Sequence, residues 1–281
     1  MRVEHLAGLE RLAAMTTILQ RARLTHDTAG IWDAADVQWW WRRPRPSDDV
    51  ATPVWFDAEG PVAAVALTDW DRAWQVDAIV VPGTVELEAV WDRALDAAEA
   101  SGAPSLEVLA RDEDAELRAL LARDGFRETD ERSGTTWMLA TDRPPVAPVP
   151  EGYRLTDRAS DAAGPHPMRV RNGEEVEARL RQTSLYDPSL DLVVRTHDDD
   201  VAGYALFWFD DVTGVGMLEP MRVEDEHQRR GLARALLTEG LDRLAAHGAR
   251  RLKVGFDGEA GRNLYLGAGF VLVSTDTTFR R

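Results

Sequence analysis

From residue 221 to 237 the chain reads Met-Arg-Val-Glu-Asp-Glu-His-Gln-Arg-Arg-Gly-Leu-Ala-Arg-Ala-Leu-Leu, and here residue type and spacing can do chemistry. An apolar, strand-like run ends at Val223. A short polar segment follows, and Gln228-Arg229-Arg230-Gly231-Leu232-Ala233 opens a run with leucines at helical spacing. The first turn of a helix carries backbone N–H groups with no internal partner, at the positive end of the helix dipole, so it attracts an anion. Gly231 lets that backbone approach a phosphate without a Cβ in the way, and Ala233 keeps the turn slim. Arg229, Arg230 and Arg234 can add charge-assisted bonds to phosphate oxygens. Six such residues alone suit a solvated basic turn equally well. The context favours the anion: four arginines within 222–234 are a local exception in a chain whose formal charge is −16.

That charge, from 49 acidic against 33 basic residues, repels phosphate backbones and anionic membrane faces. Nucleic-acid and membrane partners are therefore not expected. It favours encounter with a cationic small molecule such as an amine, or it serves solubility alone. There is no cysteine, which removes disulfides, thiolate metal sites and a Cys nucleophile together. Lys253 is the single lysine and falls in a strand-like run, which argues against Schiff-base chemistry. His227 and His247 read as solvent-facing or helix-end residues, and no paired-histidine spacing suggests a metal. The start, from Met1 to Leu6, is a charged amphipathic stretch. With no apolar run of membrane-spanning length, a cytoplasmic protein is expected. Oligomeric state is not legible.

The elements that must position the loop come in two similar series. Pro144, Pro145, Pro148 and Pro150 mark an extended linker, because proline fixes φ and lacks an N–H. It divides the chain into 1–141, a linker 142–151, and 152–281. In the first part a helical pattern around Leu9–Leu19 precedes strands at 54–56, 62–67 and 75–81. A helix over 85–100, a strand at 105–109, a helix over 114–123 and a strand pair ending near Leu139 follow. In the second part, strands at 190–194, 201–209 and 215–223 precede a helix over 231–246. A strand at 251–256, a helix over 260–266 and a final strand pair complete it. Leu121 to Phe126 and Tyr265 to Phe270, each ending Gly-Phe, fall at equivalent places, which reads as an internal duplication. Pro220 would break a strand ladder and favour a bulge that opens the sheet.

With the loop, the long helix, Tyr265 and Gly269-Phe270 in this order, residues 185–281 resemble the GNAT superfamily of N-acyltransferases. Its pyrophosphate loop, Gln/Arg-x-x-Gly-x-Gly/Ala, is matched by Gln228, Gly231 and Ala233. The resemblance implies an α/β (α+β) chain of two tandem GNAT-like domains. Each would be a mixed, mostly antiparallel twisted sheet flanked by helices, with a splayed parallel strand pair at the cofactor site. It implies acetyl-CoA as co-substrate, its pantetheine arm along the backbone of Met221, Arg222 and Val223. Its pyrophosphate would lie on the amides of Arg229, Arg230, Gly231, Leu232, Ala233 and Arg234. The Val223 N–H would polarise the thioester carbonyl. Tyr265 would protonate the leaving thiolate, or else pack the short helix on the sheet. Glu219 would take the proton of the attacking ammonium, or be satisfied by strand and turn partners. The family often has an asparagine where this chain has Gly258, so that grip is weaker or rebuilt here.

In the first half, Val80-Val81-Pro82-Gly83-Thr84-Val85 replaces the arginine-rich turn and Leu121 stands at the tyrosine's place, so this half is expected to be degenerate. Trp39-Trp40-Trp41, with Arg42, Arg43 and Arg45, is either a partner surface or, as burial preferences of aromatics favour, internal packing. Tyr186, Tyr204, Phe207 and Trp208 are candidates to line an acceptor pocket, with Tyr204 and Trp208 on one strand face and Phe207 on the other. The reading is transfer of an acetyl group to a primary amine of a small molecule by direct attack. The rivals are a transferase using a longer acyl-CoA and a non-catalytic acyl-CoA-binding sensor or assembly protein.

Overall fold

In the computed structural model, which describes residues 1–28 and 30–281, the two stretches expected to end each half as strand pairs run straight instead. Arg127–Leu139 and Val271–Arg280 are single strands. The chain forms two compact units, Met1–Ser133 with Ser274–Arg281, and Gly134–Val273. Residues 134–139 thus fold with the second unit and residues 274–281 with the first. Gly134, where a turn would have been natural, serves packing instead: a Cβ there would lie 2.6 Å from Phe256 Cζ.

The first unit begins with β1 (Arg2–Leu6), α1 (Gly8–Thr25) and α2 (Ala34–Trp40). β2 (Thr52–Phe56), β3 (Pro61–Asp69), β4 (Trp74–Val80), α3 (Leu87–Ala100), β5 (Leu106–Arg111) and α4 (Ala115–Arg123) follow, and then the start of β6 (Arg127–Leu139). The second unit continues with β7 (Tyr153–Asp157), α5 (Arg169–Asn172), α6 (Val176–Leu180), β8 (Asp191–Thr196), β9 (Val201–Asp210) and β10 (Val215–Val223). It is completed by α7 (Leu232–Ala246), β11 (Arg251–Phe256) and α8 (Glu259–Gly267); β12 (Val271–Arg280) then returns to the first unit.

Strand order is β1-β2-β3-β4-β5-β12 in the first unit and β6-β11-β10-β9-β8-β7 in the second. Each unit has one parallel pair, β4 with β5 and β10 with β11, among antiparallel neighbours. In both units a helix, α3 or α7, follows the first strand of the parallel pair, as a crossover between parallel strands requires. The repeated plan is the mixed, mostly antiparallel sheet with flanking helices that the sequence implied.

The tryptophan run is packing. Trp39, Trp40 and Trp41 are buried. The ring of Trp40 meets those of Trp32 and Trp70 edge-on, and the Arg42 and Arg45 guanidiniums lie over Trp39 and Trp70. The proline-rich stretch lies along α7. The Arg143 guanidinium pairs with Asp242 at 2.7 Å, the Ala147 N–H donates to Thr238 Oγ1 at 2.9 Å, and Pro150 Cγ lies 3.7 Å from where a Gly231 Cβ would be. Proline's missing N–H suits a segment with no ladder to join.

On the α7 side of the second sheet, Leu232, Leu236, Leu237, Leu241 and Leu244 are buried in one cluster with Leu192, Phe207, Leu218 and Leu252. Phe207 reaches the helix axis, because at Gly240 a Cβ would meet its ring atoms at 2.0–2.4 Å. Exchanging a mid-helix glycine for alanine ordinarily stabilises by about 1 kcal/mol. Gly240→Ala is expected to do the opposite and lower stability by about 1–3 kcal/mol, the range for overpacking a filled core. Urea unfolding of the parent and the variant checks the sign.

Candidate active site

The site begins where β10 leaves β11. The two pair in parallel from Val215 with Arg251 to Leu218 with Val254 and no further. β10 instead stays with β9, where the register shifts between Leu218 and Met221 and then resumes at Met221 with Ala205, Arg222 with Tyr204 and Val223 with Gly203. The irregularity falls on Glu219 and Pro220, whose peptide bond is cis. Pro220 cannot donate to a ladder, so the sequence places the bulge at this point. Gly203 lets β9 follow the bend: a Cβ there would lie 2.8 Å from Arg222 O. β11 meanwhile continues against β6, with Gly255 opposite Thr135 and Phe256 opposite Gly134. A gap therefore opens between the last residues of β10 and of β11.

The direction of the Val223 amide follows from period-two geometry. The Glu224 N–H donates to Ala202 O in β9 at 2.9 Å. Alternate residues of a strand direct their N–H groups to opposite sides. The amides of Val223 and Met221 therefore point away from β9, into the gap.

Asp225–His227 makes a short 3-10 turn between the strand and α7. The left-handed residues Arg229 (φ 59°) and Gly231 (φ 88°) then bring the chain onto the helix. The first helical bond runs from the Ala235 N–H to Gly231 O at 3.0 Å, so the amides of Leu232, Ala233 and Arg234 precede the helix's own ladder. Arg229, Arg230, Gly231 and Arg234 are exposed, Ala233 is half-buried and Leu232 anchors the turn in the core. A Cβ on Gly231 would meet only Pro150 within 4 Å, so the turn's outer face is open. Gln228 Nε2 donates to Val223 O at 3.2 Å and Asp225 Oδ1 at 3.0 Å, tying the loop to the strand end. Arg222 is engaged elsewhere: its guanidinium pairs with Asp225 at 2.8 Å and Glu224 at 3.6 Å. Arg230 Nη2 donates to Glu226 O at 3.2 Å, and Arg229 and Arg234 are exposed at the turn. An exposed, arginine-flanked helix start beside a strand gap fits a diphosphate with an extended arm.

Tyr265, on α8, is buried, its ring 6.2 Å from that of Phe270. Burial pushes its phenol pKa well above the usual tyrosine range, and the negative charges of Glu219 and Asp257 add to the effect. The charge of Glu219 on β10 is thus felt at Tyr265 on α8, although 46 positions separate their numbers. Glu219 is half-buried, and its backbone carbonyl accepts from Trp208 Nε1 at 2.7 Å. Gly258 caps α8 with nothing within 4 Å of a Cβ.

Sequence reasoning missed the polar wall beside this strand end. The Arg171 guanidinium grips Glu224 with two bonds of 2.7 Å, and Tyr204 lies against the pair. Further along the same face, Asp191 Oδ2 accepts from the Tyr186 hydroxyl at 2.9 Å and from His166 Nε2 at 2.8 Å. His166 Nδ1 accepts from the Met168 N–H at 3.2 Å, which leaves the ring proton on Nε2. Partners 53 and 25 positions apart leave no spacing signal. Tyr204 and Trp208 share this face, while Phe207 takes the α7 side. His227 is not simply solvent-facing: Nδ1 meets the Tyr153 hydroxyl at 3.0 Å.

Residues 156–270 match the Acetyltransferase (GNAT) family. The second unit is a GNAT acetyltransferase domain. The match lies within the second unit and covers less than half of the chain. It is 28% identical over 240 residues to the mycothiol acetyltransferase of Clavibacter michiganensis subsp. michiganensis, covering 79% of this chain and 76% of that protein. A tandem GNAT protein of the clavulanic acid biosynthesis pathway shares the fold at a TM-score of 0.72 and 17% identity, over 100% of this chain and 98% of that one. A GCN5-related N-acetyltransferase from Sphaerobacter thermophilus does so at 0.64 and 17% identity, over 99% and 95%. Both solved structures match over the whole chain, so the GNAT fold is present in tandem. Among the described residues, no helix is long and apolar enough to cross a membrane.

The Gly231 conformation gives a test. Gly231→Val puts a β-branched side chain at φ 88°, which costs roughly 1–2 kcal/mol in backbone strain. It also swings the loop's amides off their present direction. Coenzyme A affinity is expected to fall by about tenfold or more, equivalent to one charge-assisted hydrogen bond. Isothermal titration checks this, with urea unfolding to separate it from the strain.

Proposed function

We propose that the second unit transfers an acetyl group from acetyl-CoA to a primary amine of a small molecule, with both substrates bound together. The observation that carries this reading is the parting of β10 from β11 directly beside an arginine-flanked helix start. Acetyl-CoA supplies the activated thioester. The amides of residues 229–234, with Arg229, Arg230 and Arg234, would hold its diphosphate. The backbone of Met221 to Val223 would take the arm as an added strand.

The gap-facing Val223 N–H would donate to the thioester oxygen as negative charge develops there. Glu219 would accept the proton that the amine must lose to become a nucleophile. Tyr265 would give a proton to the departing sulfur. Its raised pKa keeps the phenol protonated across the neutral range, so the donor is ready without a second titrating group. Holding amine and thioester side by side supplies much of the acceleration. The acidic charge of the chain favours the approach of a cationic acceptor. The likeness to a mycothiol acetyltransferase supports a small-molecule acceptor.

A panel of primary amines incubated with acetyl-CoA, followed by release of free thiol, tests the activity. Thiol release that no amine accelerates would overturn it. Tyr265→Phe is expected to lower kcat by about 10²-fold, within the usual range for a general acid, with little change in the KM for acetyl-CoA. Equal turnover in the variant would remove the acid role and leave packing as Tyr265's task. The parent's pH–rate profile should show no alkaline loss attributable to this phenol below about pH 9, since burial and two nearby carboxylates shift its ionisation upward.

A further inference from the structure

The first unit opens its sheet at the same place but lines the opening with the opposite charge. β4 and β5 pair only at Trp74 with Leu106 and Gln75 with Glu107. Beyond these pairs lies a cavity of about 650 Å³, lined in part by Trp32, Val76, Ile79, Trp91 and Leu117. That volume is within the range of small-molecule sites. Asp77 is buried in its wall. Oδ1 accepts from Trp32 Nε1 at 2.8 Å and Oδ2 from Gln75 Nε2 at 2.7 Å, which fixes the carboxylate in place.

Glu86, Glu113, Asp114 and Glu116 also line the cavity, against a single guanidinium, that of Arg111. Arg111 is itself turned to a backbone oxygen, Nη1 donating to Thr28 O at 2.7 Å. The helix start that would face a diphosphate is closed to one by charge. α3 opens from Glu86 and follows a turn over 81–84 with no arginine, while Glu88 in its first turn is paired with Arg123 at 2.5 Å. Carboxylates already occupy the positive end of that helix dipole. An anionic coenzyme brought here would meet Asp77, Glu86, Glu113, Asp114 and Glu116 against the one guanidinium of Arg111. A cation would meet complementary charge above an aromatic and aliphatic lining.

We propose that the cleft between β4 and β5 is a second small-molecule site, whose ligand is an organic amine with an apolar body, its ammonium group paired with Asp77. Asp77 is suited to this at neutral pH. Burial chiefly, with Glu107's charge adding, pushes its carboxyl up to about 6, so it is ionised at pH 7.5 and gains from a cation that neutralises it. The two tryptophans add rings able to receive a cation or stack on its body. The duplicated cleft would thus hold a ligand of the acceptor's charge class, not the coenzyme's.

The test uses the full chain and isothermal titration at pH 7.5 with hexylamine, hexan-1-ol, hexanoate and coenzyme A. Hexylamine should bind saturably, with the alcohol and the carboxylate at least about tenfold weaker, the discrimination expected of a buried charge partner. Ala78→Phe, which fills the cavity at a lining residue, should abolish hexylamine binding. Asp77→Asn should weaken it by at least about tenfold. If Asp77→Asn fails to fold, the paired change Glu113→Gln with Glu116→Gln should still weaken it measurably. Coenzyme A should bind one per chain in the parent and in Ala78→Phe alike, which keeps this site distinct from the loop at Gly231. The proposal is overturned if hexylamine shows no saturable binding, if hexan-1-ol binds as well, or if Ala78→Phe binds hexylamine like the parent. It is equally overturned if coenzyme A binds two per chain and Ala78→Phe removes one.

Discussion

The second unit is organised by one conflict in its sheet: β10 cannot stay hydrogen-bonded to both neighbours past Leu218. Pro220 offers no N–H, the register with β9 slips around it, and the strand resumes only with β9. β11 has its own partner in β6 and does not follow. In most sheets such a failure would leave unpaired backbone groups to solvent or to aggregation. Here the freed edge lies beside the amino end of α7, so strand amides and helix amides converge on one elongated ligand. The close approach at Gly203 and the tie from Gln228 to the strand end hold the end of β10 in place. The chemistry assigned to Glu219, Val223 and Tyr265 depends on it. Glu219 lies in the bulge and Val223 beyond it on the strand, and the charge of Glu219 is felt at Tyr265 on α8.

The two units show how far one fold can carry opposite ligand preferences. Both have a single parallel pair that parts early and a helix that starts beside the parting. What differs is a handful of side chains. Arg229, Arg230 and Arg234 surround the helix start in the second unit, whereas Glu86 and Glu88 occupy that position in the first. A backbone amide nest is favourable to an anion only if the surrounding side chains do not oppose it, because a helix terminus contributes about half a charge and a carboxylate a whole one.

Much of this was legible in the sequence where the signal is local. The turn at 228–234, the helix it opens, the bulge at Pro220 and the opposite faces of Tyr204 and Phe207 each follow from residues within a few positions of one another. The Arg171–Glu224 grip and the His166–Asp191–Tyr186 cluster were not legible, because partners drawn from separate elements have no spacing to detect. The strand crossings were misread for a related reason. The stretch ending near Leu139 reads as a strand pair, and Gly134 within it would ordinarily weaken a single strand. Its reason for being there is the Phe256 ring on the neighbouring strand, which no local pattern encodes. The proline-rich segment was read as an extended linker between halves, whereas it lies within the second unit, and its contacts with α7 depend on Asp242 and Thr238, some ninety residues further on.

The buried phenol and the buried carboxylate illustrate how burial alone gives different chemistry in the two units. At Tyr265 burial opposes ionisation and the charges of Glu219 and Asp257 act in the same sense, so the phenol keeps its proton across the neutral range. At Asp77 burial also opposes ionisation, but the Gln75 amide and the Trp32 N–H act against it, and the carboxyl titrates near 6. Each group is kept away from its ordinary behaviour by desolvation and returned toward use by the ligand that would meet it. Tyr265 keeps its proton, whereas an ammonium group would stabilise the charge on Asp77. The same clefts that exclude water enough to shift these groups also admit a ligand, and that requires the sheets to part where they do.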